Sequence, residues 1–262
     1  DVLMRRAMEL ARTLDRPIVA HCEDNRELIP GGCVHAGRWA EEHGFPGISS
    51  ASEWKQVERE LNLVRETRCR YHVCHVSTKE SVALIRRAKR EGVDVTCETA
   101  PHYLLLCDAD LQEDGRFKMN PPLRAQADRD ALVQAALDGT IDMIATDHAP
   151  HSTEEKSKGL AGSAMGIVGL EAAFAVLYTG LVKTGVMPLE RLLQMMTDAP
   201  RARFPLPPAT LDAGAGASLT VFDLGAGWRI EPAEFRSLGR ATPFAGMDVY
   251  GRCELTMAGG KT

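Results

Sequence analysis

The chain lacks most of what would tie it to a membrane, to nucleic acid or to an oxidising compartment. Its seven cysteines (Cys22, Cys33, Cys69, Cys74, Cys97, Cys107 and Cys253) are odd in number and form no C-x-x-C pair. Neither a disulfide framework nor a structural zinc knot is expected, and a reducing cytoplasm fits best. A net charge of −5 with no Lys/Arg-rich block argues against a nucleic-acid partner. The most apolar long stretch, Gly166 to Val182, is broken by Glu171 and three glycines. It reads as a packed helix, so no membrane partner is expected, and no signal peptide is visible. No Gly-rich first βα turn advertises a dinucleotide fold.

What remains is ordinary for a soluble globular protein: 262 residues, 44% hydrophobic and 26% charged. That length suits one large α/β domain or a barrel with a small appendage. The first residue is Asp1, and helical periodicity is already present over Val2–Leu14, so the chain is expected to start inside a domain. A strand Pro17–Ala20 follows, ending at His21. A helix runs from about Ser52 to Arg65, with Ser50-Ala51-Ser52-Glu53 fitting a capping box. The strand Tyr71–Cys74 ends at His75. Ser77-Thr78-Lys79-Glu80 reads as a second capping box, opening a helix to about Arg90 that Gly92 stops. The strand Val93–Cys97 ends at Glu98. After a polar insertion, Cys107 to Arg124, a helix at about Asp128–Leu137 leads to the strand Ile141–Thr146, which ends at Asp147.

Strands alternating with helices imply a parallel sheet, and functional groups collected at strand C-termini mark the active face of a TIM-type barrel. The expected fold class is therefore α/β, of the TIM-barrel type, with about four βα units forming the C-terminal half of the barrel. After helices at about Leu170–Thr184 and Pro188–Thr197, the prolines Pro200, Pro205, Pro207 and Pro208 mark a boundary. Ser218–Asp223 and Val249–Thr256 then read as short β segments. The expected division is a partial barrel over 1–204 and a small β appendage over 205–262, part of a composite β-sandwich.

The segment Ile141–His151 carries the most chemistry. An Asp closing a buried strand is costly unless it meets a cation, a proton or several donors. Asp147 either caps the following turn or acts as a metal-contacting acid/base. His21 and His75 stand at two other strand ends in phase with it. Imidazole nitrogen and carboxylate oxygen suit zinc, which polarises a carbonyl and acidifies water, while a neighbouring carboxylate moves the proton. That is hydrolysis of an amide-like bond.

The motifs His21-Cys22-Glu23-Asp24, Cys74-His75-Val76-Ser77-Thr78 and Glu98-Thr99-Ala100-Pro101-His102-Tyr103-Leu104 resemble the cyclic-amidase branch of the amidohydrolase superfamily. Phe117-Lys118-Met119-Asn120-Pro121-Pro122-Leu123-Arg124 and Thr146–His151, with Glu154-Glu155-Lys156 behind, narrow the resemblance to the dihydroorotase family. Gly166–Glu171 and Thr242–Gly246 fit it too. The resemblance implies that His21 and His75 hold the more exposed ion of a binuclear zinc site. It implies that Asp147 contacts the buried ion and serves as catalytic acid/base, and that Asn120 and His151 bind substrate. The reaction implied is interconversion of N-carbamoyl-L-aspartate and L-dihydroorotate in pyrimidine biosynthesis. Allantoinase or hydantoinase chemistry is the alternative within the branch. A homo-oligomer is expected, and a non-catalytic subunit associated with aspartate transcarbamoylase is the reading outside catalysis.

Two departures limit this. The 262 residues contain no His-x-His with a nearby Arg, and no match to the bridging carboxylated Lys or Asp. The chain is therefore expected to be incomplete and inactive alone, to bind zinc weakly, and to expose an unpaired sheet edge. Met165 stands where an aromatic is expected. Cys74 and Glu98 are either a buried thiol and a capping carboxylate or, as the resemblance allows, ligands of an extra zinc. His102 is a further candidate for the site. His35, His43 and His72 read as structural or surface residues, Trp39 and Trp54 as packing or surface, and 154–156 as a solvated loop.

Overall fold

Four short parallel strands set the architecture of the computed structural model, which describes residues 2–207 and 210–262. Asp1 and Pro208, named above, lie outside the described residues. Helix α1 (Val2–Thr13) leads into β1 (Ile18–Ala20). A small excursion follows, made of β2 (Val34–His35), α2 (Arg38–His43) and β3 (Gly47–Ile48). Next come α3 (Ala51–Thr67), β4 (Tyr71–Val73), α4 (Lys79–Arg90), β5 (Val95–Thr99) and α5 (Pro101–Leu105). Helix α6 (Gln126–Asp138), capped by left-handed Gly139, precedes β6 (Met143–Ile144). The sheet order is β1-β4-β5-β6, and the three strand pairs that join it are all parallel. This is the α/β, TIM-barrel-type arrangement that the alternation of strands and helices predicts.

Residues alternate across the sheet. Tyr71, Val73, Val95 and Cys97 are fully or nearly fully buried in one core with Val57 and Leu61 of α3, Ile85 of α4 and Leu132 of α6. His72 and Cys74 point to the opposite face. The register Val19↔His72↔Thr96 puts His21 and Glu98 on that face as well.

Several expectations are corrected. Glu98 lies within β5, not after it. Residues 154–156 belong to a helical turn, α7 (Thr153–Lys156), and Lys156 is buried, its ammonium donating to Lys118 O and Ala164 O. Burial with Lys118 nearby lowers its pKa to about 8. After α8 (Gly159–Gly162), the long helix expected at 170–184 is a five-residue α9 (Ala173–Leu177) running into a π-helical turn over Tyr178–Val182. Helix α10 (Leu189–Met196) matches its expectation, but Pro200 does not end the helical region. It sits in the first turn of α11 (Asp198–Arg203), where a missing N–H has no intrahelical acceptor to lose. Strands β7 (Leu219–Arg229) and β8 (Asp248–Met257) pair antiparallel, longer than expected and with bulged register. Among the described residues, no helix is long and apolar enough to cross a membrane.

Candidate functional site

The strand ends bring the two histidines together. His21 follows β1 directly and His75 follows β4 by two residues. Their rings meet edge to face with centroids 4.7 Å apart, and His21 Nδ1 lies 2.9 Å from His75 Nε2. Burial lowers the pKa of His75; the nearby Asp147 carboxylate opposes this and His21 reinforces it. Asp147 is thus an electrostatic neighbour of the pair. Among the described residues, however, no side-chain ligand atoms of His21, His75 and Asp147 gather within 4.8 Å of one another. Both His75 (φ 34°) and Asp147 (φ 47°) adopt the left-handed conformation. Non-glycine residues hold it only where the surroundings over-determine it, and such strain clusters at functional sites.

Neither expected capping box forms. The N-cap of α3 is Ser50, which makes no side-chain cap, and Glu53 reaches across to the turn after β4. Its carboxylate accepts from the backbone N–H of Ser77 (3.1 Å) and Thr78 (3.0 Å), from Thr78 Oγ1 (2.8 Å) and from Ser77 Oγ. Helix α4 is capped by Thr78, whose hydroxyl accepts from Ser81 N–H, one residue later than expected.

Asn120 precedes a cis peptide to Pro121. Its side-chain amide donates to Glu23 Oε1 at 2.9 Å, while Glu23 Oε2 lies 3.8 Å from His21 Nε2. Glu23, within the His21-Cys22-Glu23-Asp24 motif, therefore joins Asn120 to the histidine pair. Tyr103 of α5 donates to Pro121 O at 2.6 Å and braces the same loop. His151 Nε2 donates to Met165 O at 2.8 Å, and its Nδ1 lies 3.7 Å from Glu155. Gly166 makes this turn possible. Its φ is 133°, and a Cβ there would meet Ala149 Cβ and O at 2.7 Å and His151 Nε2 at 3.0 Å. The neighbouring His148 accepts at Nδ1 from Gly169 and Leu170 N–H, both at 3.3 Å, and contacts Ser237 Oγ through Nε2 at 3.4 Å. Glu171 accepts from the same hydroxyl at 2.7 Å.

His72, read from sequence as structural or surface, is fully buried beside Cys74 and Glu98. One ligand atom from each of the three lies within 4.8 Å of the others. His72 Nδ1 is 2.8 Å from Thr96 Oγ1, and Nε2 is 3.2 Å from Glu98 Oε2. Burial, with Glu98 and Asp147 adding, pushes the Cys74 thiol up to about 12. Imidazole, thiolate and carboxylate are a donor set that could hold a metal ion. His102 is buried in α5, its Nε2 has no hydrogen-bond partner among the described residues, and burial holds its pKa at about 3. His35 is also buried, 3.5 Å from Arg124, and is lowered to about 4 by burial and then by that guanidinium. His43 is exposed and stacks on Trp39.

The chain is 52% identical over 261 residues to the dihydroorotase of Brevibacillus brevis and 53% identical to that of Shouchella clausii. In both cases 99% of this chain is covered but 61% of the relative, so the chain spans about three-fifths of the length of these curated relatives. The solved L-hydantoinase (dihydropyrimidinase) of Arthrobacter aurescens superposes with a TM-score of 0.86 at 31% identity, covering 98% of this chain and 59% of that one. A D-hydantoinase from Thermus sp. shares the fold with a TM-score of 0.85 at 24% identity. The model of the amidohydrolase family matches residues 1–262, and the chain belongs to that family.

Proposed function

We propose that the chain supplies part of a dihydroorotase site, which interconverts N-carbamoyl-L-aspartate and L-dihydroorotate through cyclic amide hydrolysis. The observation that carries this reading is the imidazole pair at 2.9 Å, tied through Glu23 to Asn120. Two tetrahedral zinc ligands at ~2.0–2.1 Å stand roughly 3.3 Å apart, so the pair fits a shared ion after a small adjustment. His21 and His75 would hold it, with Asp147 on the same rim. When bound, zinc polarises the amide carbonyl and acidifies water. The Asp147 carboxylate takes the proton from the attacking water and returns it to the leaving ring nitrogen. Asn120 offers an amide edge complementary to the cyclic imide, and His151 a donor for the substrate carboxylate. Gly166 keeps His151 in place by leaving room for the turn.

The binuclear state, the place in pyrimidine biosynthesis, a cytoplasmic setting and a homo-oligomer belong to the same proposal. So does the division into a barrel part (1–204) and a β appendage (205–262). Cyclic amidases of the allantoinase and hydantoinase type are the competing reading, supported by the shared architecture. A non-catalytic subunit beside aspartate transcarbamoylase is the reading outside catalysis. An assay of the intact gene product carrying this sequence separates the three. Ring opening of dihydroorotate but not of allantoin or hydantoin is expected. The reverse preference would overturn the substrate, and no turnover with zinc supplied would favour the subunit.

A further inference from the structure

We propose that Glu53 is a positioning residue for His75. From the first turn of α3, its carboxylate grips Ser77 and Thr78 and thereby holds the 74–78 turn in the conformation that aims His75 Nε2 at His21 Nδ1.

The geometry is that of a clamp. Glu53 is 3% exposed, and all its side-chain hydrogen bonds to this turn are acceptor bonds from two consecutive residues, backbone and hydroxyl alike. A carboxylate can satisfy that many donors and a neutral side chain of the same size cannot. Two residues before Ser77, His75 occupies the left-handed region. A non-glycine residue stays there only if its flanks are fixed. The Val76 N–H bond to Glu98 O fixes the turn to β5 at 2.8 Å. Glu53 fixes it to α3.

The clamp has a second jaw. Arg124, 3% exposed, donates from Nε to the Ser77 hydroxyl (3.1 Å) and from Nη1 to Ile48 O (3.0 Å). The Ser77 hydroxyl thus donates to a carboxylate and accepts from a guanidinium, which compensate each other's charge in a buried setting. Arg124 is in the same loop as Asn120, so the hydroxyl links the segment bearing the candidate substrate-binding amide to the turn bearing the histidine. Both expected caps are lost to this clamp: Glu53 no longer folds back on its own helix, and Ser77 yields the cap of α4 to Thr78.

The importance of His75 as a metal ligand rests on the function proposed above, but its position can be read without metal. The test uses the full chain labelled with [15N]histidine, held at pH 8 and metal-free. Ring-nitrogen resonances and the cross-relaxation between the His21 and His75 rings report the pair. Zinc affinity is then measured by chelator competition. Asp128→Asn is the control, because Asp128 is equally buried (3%) and accepts from Lys79 N–H at 2.9 Å, next to the clamp but outside it.

Folded Glu53→Gln is expected to shift the His75 ring signals, to lose the inter-ring cross-peak, and to bind zinc about 10- to 100-fold more weakly. Asp128→Asn is expected to lower the thermal midpoint while leaving the ring signals in place. Wild-type His75 signals in folded Glu53→Gln, or an equal shift in Asp128→Asn, would overturn the proposal. If Glu53→Gln does not fold, Ser77→Ala and Thr78→Val remove donors from the other side. The same shift is expected in them, and its absence overturns the clamp. A wild-type chain with the imidazole pair intact but no zinc binding would instead overturn the metal reading alone.

Discussion

His21 Nδ1 and His75 Nε2 face each other at 2.9 Å although 54 residues separate them in sequence. Parallel pairing of β1 with β4, with Val19 level with His72, brings the two strand ends alongside. If the pair is a metal site, each ring contributes one of few ligands in this chain. His21→Ala and His75→Ala are each expected to lower zinc affinity by on the order of 100-fold or more. Chelator competition measures this, and unchanged affinity in both variants would remove the pair from the site.

The bond from Asn120 to Glu23 makes a prediction for turnover in the intact gene product. Glu23 spans the amide (2.9 Å) and His21 (3.8 Å), so Glu23→Ala releases both. Its kcat/KM for dihydroorotate is expected to fall about 10- to 100-fold, the usual effect of losing an orienting partner. Asn120→Ala is expected to raise KM as well, since the amide itself leaves. Wild-type steady-state parameters in Glu23→Ala would show that the Asn120–Glu23–His21 link does no orienting.

The alternation of strand and helix was legible in the sequence because period and punctuation are local. So were the strand ends at His21 and, two residues past β4, at His75; the strand expected over 141–146 is only Met143–Ile144, and Asp147 lies three residues beyond it. What escaped was set by tertiary pairing. Ser50-Ala51-Ser52-Glu53 has the spacing of a capping box, yet Glu53 finds more donors on a turn 24 residues away than on its own helix. His72 looked isolated because sequence does not give strand register. Only the level pairing of His72 with Thr96 brings Glu98, two residues on, to the imidazole and the Cys74 thiol. Lys156 looked solvated because its partners are carbonyls, which leave no mark in a sequence.

Two buried histidines predict an acid limit to stability. His35 is held at about 4 and His102 at about 3, both chiefly by burial, against an ordinary 6.5. Below pH 6.5 the unfolded chain takes up protons at these rings and the folded chain does not. Their stabilisation is present above 6.5 and is lost as pH falls towards 4 and then 3. At 1.36 kcal/mol per unit, His35 alone accounts for about 3 kcal/mol. The urea midpoint is expected to drop between pH 7 and 4.5, and His35→Asn should flatten part of that slope. An identical slope in the variant would assign the acid limit elsewhere.

Gly166 tests how tightly the His151 turn is built. Gly166→Ala places a Cβ against Ala149 and His151 at a φ of 133°. A loss of about 1–3 kcal/mol is expected from backbone strain, with more if the turn cannot shift. In the intact gene product the variant should also raise KM for dihydroorotate through His151. A denaturant midpoint within error of wild type would mean that the turn relaxes freely.

The outer edge of the sheet predicts the solution behaviour of the 262-residue chain. β1 pairs with β4 and, among the described residues, has no strand on its other side. Val19 in β1 is 51% exposed, and the preceding α1 exposes Leu3 (82%) and Leu10 (60%), with Leu14 (60%) just after it. An unpaired strand edge offers hydrogen-bonding groups to another chain, and adjacent apolar surface adds a driving force that does not depend on registry. The chain on its own is expected to self-associate in the micromolar range, with sedimentation velocity showing a mass that rises with concentration. A lysine at an edge position is a common natural block to such pairing. Val19→Lys should therefore shift the distribution towards monomer while leaving the unfolding midpoint nearly unchanged, because the side chain is already half in water. A wild-type chain that stays monomeric at high concentration and unfolds cooperatively would show that this edge is closed by its own flanking segments.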